Sequence, residues 1–136
     1  TPADLERSGR ENGACLIDAR QLALSAATIE DIFSSILQVA QALNLNDRGP
    51  GLVDRERRRL QAVREATGHL RRPTVVMLEW TDPLFAMGNW GPELVDIANG
   101  ELLLGRKGEF SAAIPVDQLR DANPEHLIVA PCGFNL

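Results

Sequence analysis

Tyrosine is absent from this chain of 136 residues, and only six of its residues are aromatic, two tryptophans and four phenylalanines. With so few rings, their placement carries information. Cysteine is almost as scarce. Cys15 and Cys132 stand far apart and match no metal-ligand spacing, and two thiols make no disulfide framework, so they read as separate small buried side chains. The two histidines, His69 and His126, sit in no recognisable catalytic motif. GxSxG, P-loop, GxGxxG and HExxH patterns are all missing, which removes the commonest sequence signatures of catalysis. No apolar run approaches the ~20 residues of a membrane span, so the chain is not membrane-embedded. A net charge of −5 argues against general nucleic-acid binding. The opening TPADLERSGRENG lacks both an initiator Met and a signal-peptide pattern and reads like the middle of a chain.

What is present suits an ordinary folded domain, with 44% hydrophobic and 24% charged residues. Residues 1–13 suggest a short helix, and ACLIDARQLALSAA suggests one or two short strands. Thr28 is a helix N-cap with Asp31 three residues on, an approximate capping box. Ile29, Ile32, Phe33, Ile36, Leu37, Ala40 and Leu43 then share one helical face, closed by Asn44 and Asn46. NDRGPG reads as a break. A second helix is expected from Gly51 to about Leu70, spanning about 30 Å. Its apolar stripe is narrow, as in helices that bridge domains. Its Arg57-Arg58-Arg59 run is read as a solvated face offset by Asp54, Glu56 and Glu65. Beyond Arg71-Arg72-Pro73 the period changes. TVVMLEW is a strand over 74–79, PELVDIAN a helix ending at Gly100, LLL at 102–104 a short strand, PVDQLRDAN a two-turn helix and HLIVA at 126–130 a buried strand. Strands alternating with helices predict a parallel sheet in an α/β domain.

Ligands of open parallel sheets bind outside the carboxyl ends of the strands. Trp80, Phe85, Trp90, Phe110 and Phe134 all fall at or just after expected strand ends; only Phe33 lies on a helix face. LEWTDPLFAMGNWGPEL holds three of the rings in one turn-rich segment. Flat rings offer contact area at little entropic cost and suit a flat or macrocyclic ligand. Asp82-Pro83 and Gly88-Asn89 would shape the turn. The plainer alternative, that the tryptophans cap the core, weighs about evenly for Trp90 and less for Trp80. An enzymatic alternative would use Glu79 and Asp82 as acid and base, or Cys132 as nucleophile, in a small hydrolase-like α/β protein. No motif supports it, and catalysis is not expected.

The run E-W-x-D-P-x-F-x-x-G-x-W-x-P-E-L, followed by Asn99-Gly100 and PVDQLRDANPEHLIVAPCGF, resembles the C-terminal lobe of the cobalamin-binding and siderophore-binding proteins of ABC importers, periplasmic substrate-binding proteins with a rigid helical hinge. LALSAATIEDIFSSILQVAQAL resembles the end of their N-terminal lobe. The resemblance covers the chain from about Leu22 onward. It implies a Rossmann-like α/β lobe with a parallel sheet, preceded by long helices. Residues 1–50 would be the remnant of the N-terminal lobe, 51–70 the interdomain helix and 71–136 an incomplete C-terminal lobe, with the chain truncated at both ends. It implies Trp80, Phe85 and Phe110 as aromatic ligand contacts, with Asp82, Trp90 and Phe134 beside them. Asp117 would be the carboxylate that docks on permease arginines, although stabilisation of its own helix start explains it equally well. The implied ligand is a small-molecule metal chelate, cobalamin or another corrinoid, with haem and iron–siderophore complexes as alternatives. The implied partner is an ABC permease, the implied setting periplasmic or extracytoplasmic, with no resident cofactor or metal and a monomeric state. A cytoplasmic corrinoid-binding relative without an importer role is a third possibility. Half of a two-lobed site is expected to bind weakly or not at all.

Overall fold

The computed structural model describes residues 21–131. The expected helix at 1–13 and the residues up to 20 lie outside the described residues, as do Cys15, Cys132 and Phe134; residues 21–26 form no strand. Helix α1 (Ile29–Ala42) begins as its sequence predicts. The Thr28 hydroxyl accepts from Asp31 N at 3.2 Å, and Asp31 accepts from Thr28 N at 2.8 Å, closing the capping box. The Thr28 hydroxyl also donates to Asp31, and this contact foremost holds the Asp31 carboxyl below its ordinary pKa.

Helix α2 (Arg48–Thr67) starts three residues before the expected Gly51 and ends at Thr67 rather than Leu70. Gly49 and Pro50, read above as a break, belong to its first turn. A proline there loses no helical bond, because the first N–H groups have no partner in the helix. Gly49 is buried against α1, where a Cβ would lie 2.7 Å from Ala40 Cβ. The same residue pair that breaks chains elsewhere here brings two helices together. Ile29, Phe33 and Val53 form a buried cluster with Ile97, flanked by Ile36, Leu60, Trp90 and Leu94. Arg57 lies over the Phe33 ring, 5.2 Å from its centroid, and pairs with Glu30.

The remaining elements are β1 (Thr74–Thr81), β2 (Leu84–Ala86), α3 (Gly91–Ile97), β3 (Glu101–Leu102), β4 (Ala112–Ala113), α4 (Val116–Ala122) and β5 (His126–Val129). β1 is the hub of a five-stranded sheet. β3 and β5 pair with it in parallel, as expected. β2 and β4 were not anticipated; β2 returns antiparallel along β1, and β4 pairs antiparallel with β2. The carbonyls of Val75 and Met77 accept from Leu103 and Met87 on one edge of β1, while that of Leu78 accepts from Ala130 on the other. Val75, Val76 and Leu78 are buried, as befits a central strand covered on both faces. β5 departs from expectation. All four of its residues are exposed, because among the described residues β1 is the one strand it pairs with. Asn44, Asn99 and Asn123 each end a helix at positive φ, a conformation asparagine tolerates.

At the amino ends of β1 and β5, Arg71 makes a two-pronged ion pair with Glu125, and Glu125 N donates to Thr74 Oγ1 at 3.0 Å. Foremost through the Arg71 hydrogen bond, the Glu125 carboxyl is pulled from 4.5 to about 2. Its partner moves consistently, the Arg71 pKa being raised by Glu125. The folded pKa is depressed, so this pair adds stability above the unfolded value of 4.5 and loses it as pH falls towards 2. Both groups are exposed to solvent and screened, which keeps the effect small. Urea unfolding midpoints measured from pH 6 to 2 should therefore fall less steeply for Glu125→Gln than for the unchanged chain. Parallel curves would show that the pair contributes nothing.

Candidate binding shelf

The carboxyl end of β1 carries the main candidate site. Alternation along a strand would send residue 80 to the same face as Val76 and Leu78, where those two side chains are 0% and 2% exposed. The β1–β2 register breaks between Leu78 and Trp80. Leu78 stands opposite Ala86, and Trp80 opposite Phe85. One extra residue on β1, Glu79, turns Trp80 off the core face and sets it directly across from Phe85. On its other side Phe85 stands opposite the small Ala113 of β4 and is half-buried. The two-residue connection is Asp82-Pro83, with a cis peptide bond. The Trp80 indole N–H donates to the Asp82 carbonyl at 2.8 Å, which fixes the ring against the turn.

The third ring arrives on the loop between β3 and β4. Asn89 N donates to the Glu109 carbonyl at 2.5 Å, Gly108 N to the Asn89 carbonyl at 3.0 Å, and Gly88 N to Ser111 Oγ at 2.9 Å. Phe110 is thereby held out from the fold with its side chain 90% exposed. Glu79, Trp80, Pro83, Phe85, Asn89, Phe110 and Ser111 line an open depression of about 480 Å³. Its walls are mainly ring and proline surface, with one carboxylate, one amide and one hydroxyl at the margin. That is the usual make-up of a small-molecule site, apolar with a few polar groups that fix orientation.

Of the residues singled out in the sequence, Trp80, Phe85 and Phe110 come together here. Asp82 sits on the exposed turn beside the depression and contributes its carbonyl to Trp80. Trp90 does not line the depression; it packs against the helical core with Leu60 and Leu94. Asp117 lies on α4 and pairs within that helix with Arg120 at 2.8 Å. His126 begins β5 opposite Val75, at the end of the sheet away from the shelf. Pro83, Asn89 and Ser111 were not anticipated as lining residues. Asn89 could have been suspected from Gly88-Asn89, a pair suited to positive φ, and Asn89 adopts φ 50°. Among the described residues no group of three or more His, Cys, Asp or Glu side chains could hold a metal ion, and no helix is long and apolar enough to cross a membrane.

The arrangement is an open aromatic depression at the carboxyl end of the central strand of a mixed α/β sheet, joined to a long helix. The sequence profile described as periplasmic binding protein matches residues 19–135, and the chain belongs to that family. Among curated proteins, none matches the chain. Solved structures resemble it closely in fold. An ABC transporter substrate-binding protein from Listeria monocytogenes EGD-e superposes with a TM-score of 0.74 at 18% identity, over 98% of this chain and 51% of that one. A periplasmic heme binding protein from Pseudomonas aeruginosa gives 0.72 at 18%, over 99% and 49%. The periplasmic vitamin B12 binding protein of Vibrio cholerae gives 0.67 at 15%, over 95% and 49%. The chain thus spans about half the length of these structures. The hydrolase-like reading through Glu79, Asp82 or Cys132 gains no support: the family is one of binding proteins, and Asp82 stands on the exposed turn, outside the depression that Glu79 lines.

Proposed function

We propose that this chain is part of an ABC-importer substrate-binding protein that captures a metal chelate between two lobes outside the cytoplasm and delivers it to a permease. Residues 1–50 belong to the first lobe, the long helix connects the lobes, and residues 71–136 carry the second lobe's half of the site. The observation that carries this reading is the bulge at Glu79, which places Trp80 beside Phe85 at the strand end and in one depression with Phe110. Three rings on an open shelf suit a broad, flat ligand, and cobalamin or a related ring chelate fits that shape. Structures of similar fold include proteins described as binding vitamin B12 and heme. Phe134 is a further ligand contact in this reading, with Asp82 at the edge of the shelf, while Trp90 serves the helical core. Asp117 is the docking carboxylate. It is exposed and pairs with Arg120 of its own helix, so a permease arginine could replace that partner.

Calorimetric titration with cyanocobalamin and with haem tests the proposal. The 136-residue chain alone is expected to show weak or no binding, because an open shelf covers one side of a ligand. In the two-lobed protein, Trp80→Ala should weaken binding about 30-fold or more, as truncation of a central aromatic anchor does. Tight binding by the chain alone would rule out capture between lobes. Unchanged affinity in the Trp80→Ala protein would rule out the shelf.

A further inference from the structure

The geometry points to Glu93 as a positioning residue that ties the Phe110 loop to the start of α1. Its importance for ligand capture rests on the proposed function; its structural role does not. The carboxylate of Glu93 works in two directions at once. One oxygen accepts from the backbone N–H of Ile29 at 2.7 Å, and the other meets Lys107 Nζ at 2.7 Å. The Glu93 side chain is 19% exposed, the most sheltered ion-paired carboxylate among the described residues.

Each contact has a physical reason. The Ile29 N–H is one of the first-turn donors of α1 that have no acceptor within the helix. A carboxylate there also faces the positive end of a fourteen-residue helix. Lys107 lies at the tip of the loop from Leu103 to Ser111, between Gly105 and Gly108, both at positive φ. The base of that loop is tied to Gly88 and Asn89 by main-chain and Ser111 hydrogen bonds. At its tip Gly105 lies close against the Met87 backbone, and the ion pair to Glu93 adds an anchor from a charged side chain outside the loop. α1 is packed on α2, so Glu93 references the ring-bearing loop to the helical layer as well as to the sheet. Trp80 and Phe85 stand on paired strands of the sheet, with the Trp80 indole also bonded to the Asp82 carbonyl. Glu93 therefore adds, to the bonds at the base of the loop, a tie from the helical layer to the segment that carries Phe110.

Glutamine at this position keeps an oxygen for Ile29 but turns its amide donors towards the Lys107 ammonium, so the two sides repel. Lys107→Met removes the tip contact from the exposed side and leaves the α1 start untouched. Amide hydrogen exchange of the 136-residue chain is the test. Glu93→Gln and Lys107→Met should each speed exchange at Asn89 and Gly108 about fivefold, the scale of a partly exposed ion pair. Lys107→Arg, which keeps the charge, should not. The Glu93→Gln/Lys107→Met pair should exceed neither single change, since both remove one contact. In Lys107→Met the Ile32 amide of α1 and the Ala130 amide beside β1 should stay at their original rates. Unchanged exchange at Asn89 and Gly108 in Lys107→Met overturns the inference, and so does equal acceleration at Ala130, which would mark general destabilisation. No ligand enters this measurement, so its failure is distinct from failure of the binding reading, which shows in the Trp80→Ala titration.

Discussion

Replacing Gly88 by alanine is expected to dislodge the Phe110 loop and to destabilise the fold by about 1–3 kcal/mol, the usual cost of forcing atoms into a packed site. A Cβ at Gly88 would press into the Glu109 carbonyl oxygen and lie 2.7 Å from the Phe110 carbonyl carbon and 2.8 Å from Ser111 N. All three obstacles are backbone, so no side chain can swing aside. The loop must move as a body, and its movement breaks the bonds from Gly88 N to Ser111 and from Asn89 N to Glu109. Gly51→Ala is the matched control. Gly51 lies exposed on α2 with nothing within 4 Å of a new Cβ, and alanine there should stabilise by about 0.5–1 kcal/mol through helix propensity. Urea unfolding of both variants, with amide exchange at Gly108, separates them. A Gly88→Ala protein as stable as the original, with Gly108 still protected, would show that the close approach does not matter.

That close approach also marks what could be read in the sequence and what could not. Thr28 and Asp31 announced the start of α1 because a capping box is a local pattern written within four residues. The parallel pairing of β1 with β3 and β5 followed from strands alternating with helices. The rings at 80, 85 and 110 were legible as a group because strand ends, turn residues and aromatics coincide there. The bulge that presents Trp80 was not legible. TVVMLEW is nearly continuous in apolar character, as a strand buried on both faces must be, so it carries no alternation from which a change of face could be seen. β2 and β4 are three and two residues long, too short to show a period of two. Gly49-Pro50 misled because its purpose is the approach of α2 to Ala40, a contact made at a distance along the chain. Asn89 and Ser111 join the shelf through hydrogen bonds between two loops, and Glu93 joins α3, α1 and the ring-bearing loop. Residues that meet only through folding leave no mark on local sequence.

Leu78→Ala should have the largest effect on stability of any single change named here, a loss of about 2–5 kcal/mol in urea unfolding. Leu78 is 2% exposed and, with Val76, is one of the two largest fully buried side chains among the described residues. Its position in the sheet adds to the cost. Leu78 lies opposite Ala86 of β2 on one edge and opposite Val129 of β5 on the other. Ala86 is itself small, so it cannot expand into the space, and the neighbouring strands are held at sheet spacing by their backbone bonds. The cavity stays open where a helix–helix contact could partly close. The next residue is Glu79, where the register shifts, so slackening at Leu78 should reach the shelf as well as the core. Amide exchange at Met87 and Ala130, whose N–H groups donate to Met77 and Leu78, reads the two edges of β1 separately. Both should lose protection together with the global stability. Val63→Ala on α2, where the side chain is 43% exposed, should cost well under about 1 kcal/mol, as surface substitutions do. A Leu78→Ala protein no less stable than the Val63→Ala protein would mean that β1 is not the keystone joining the two halves of the sheet.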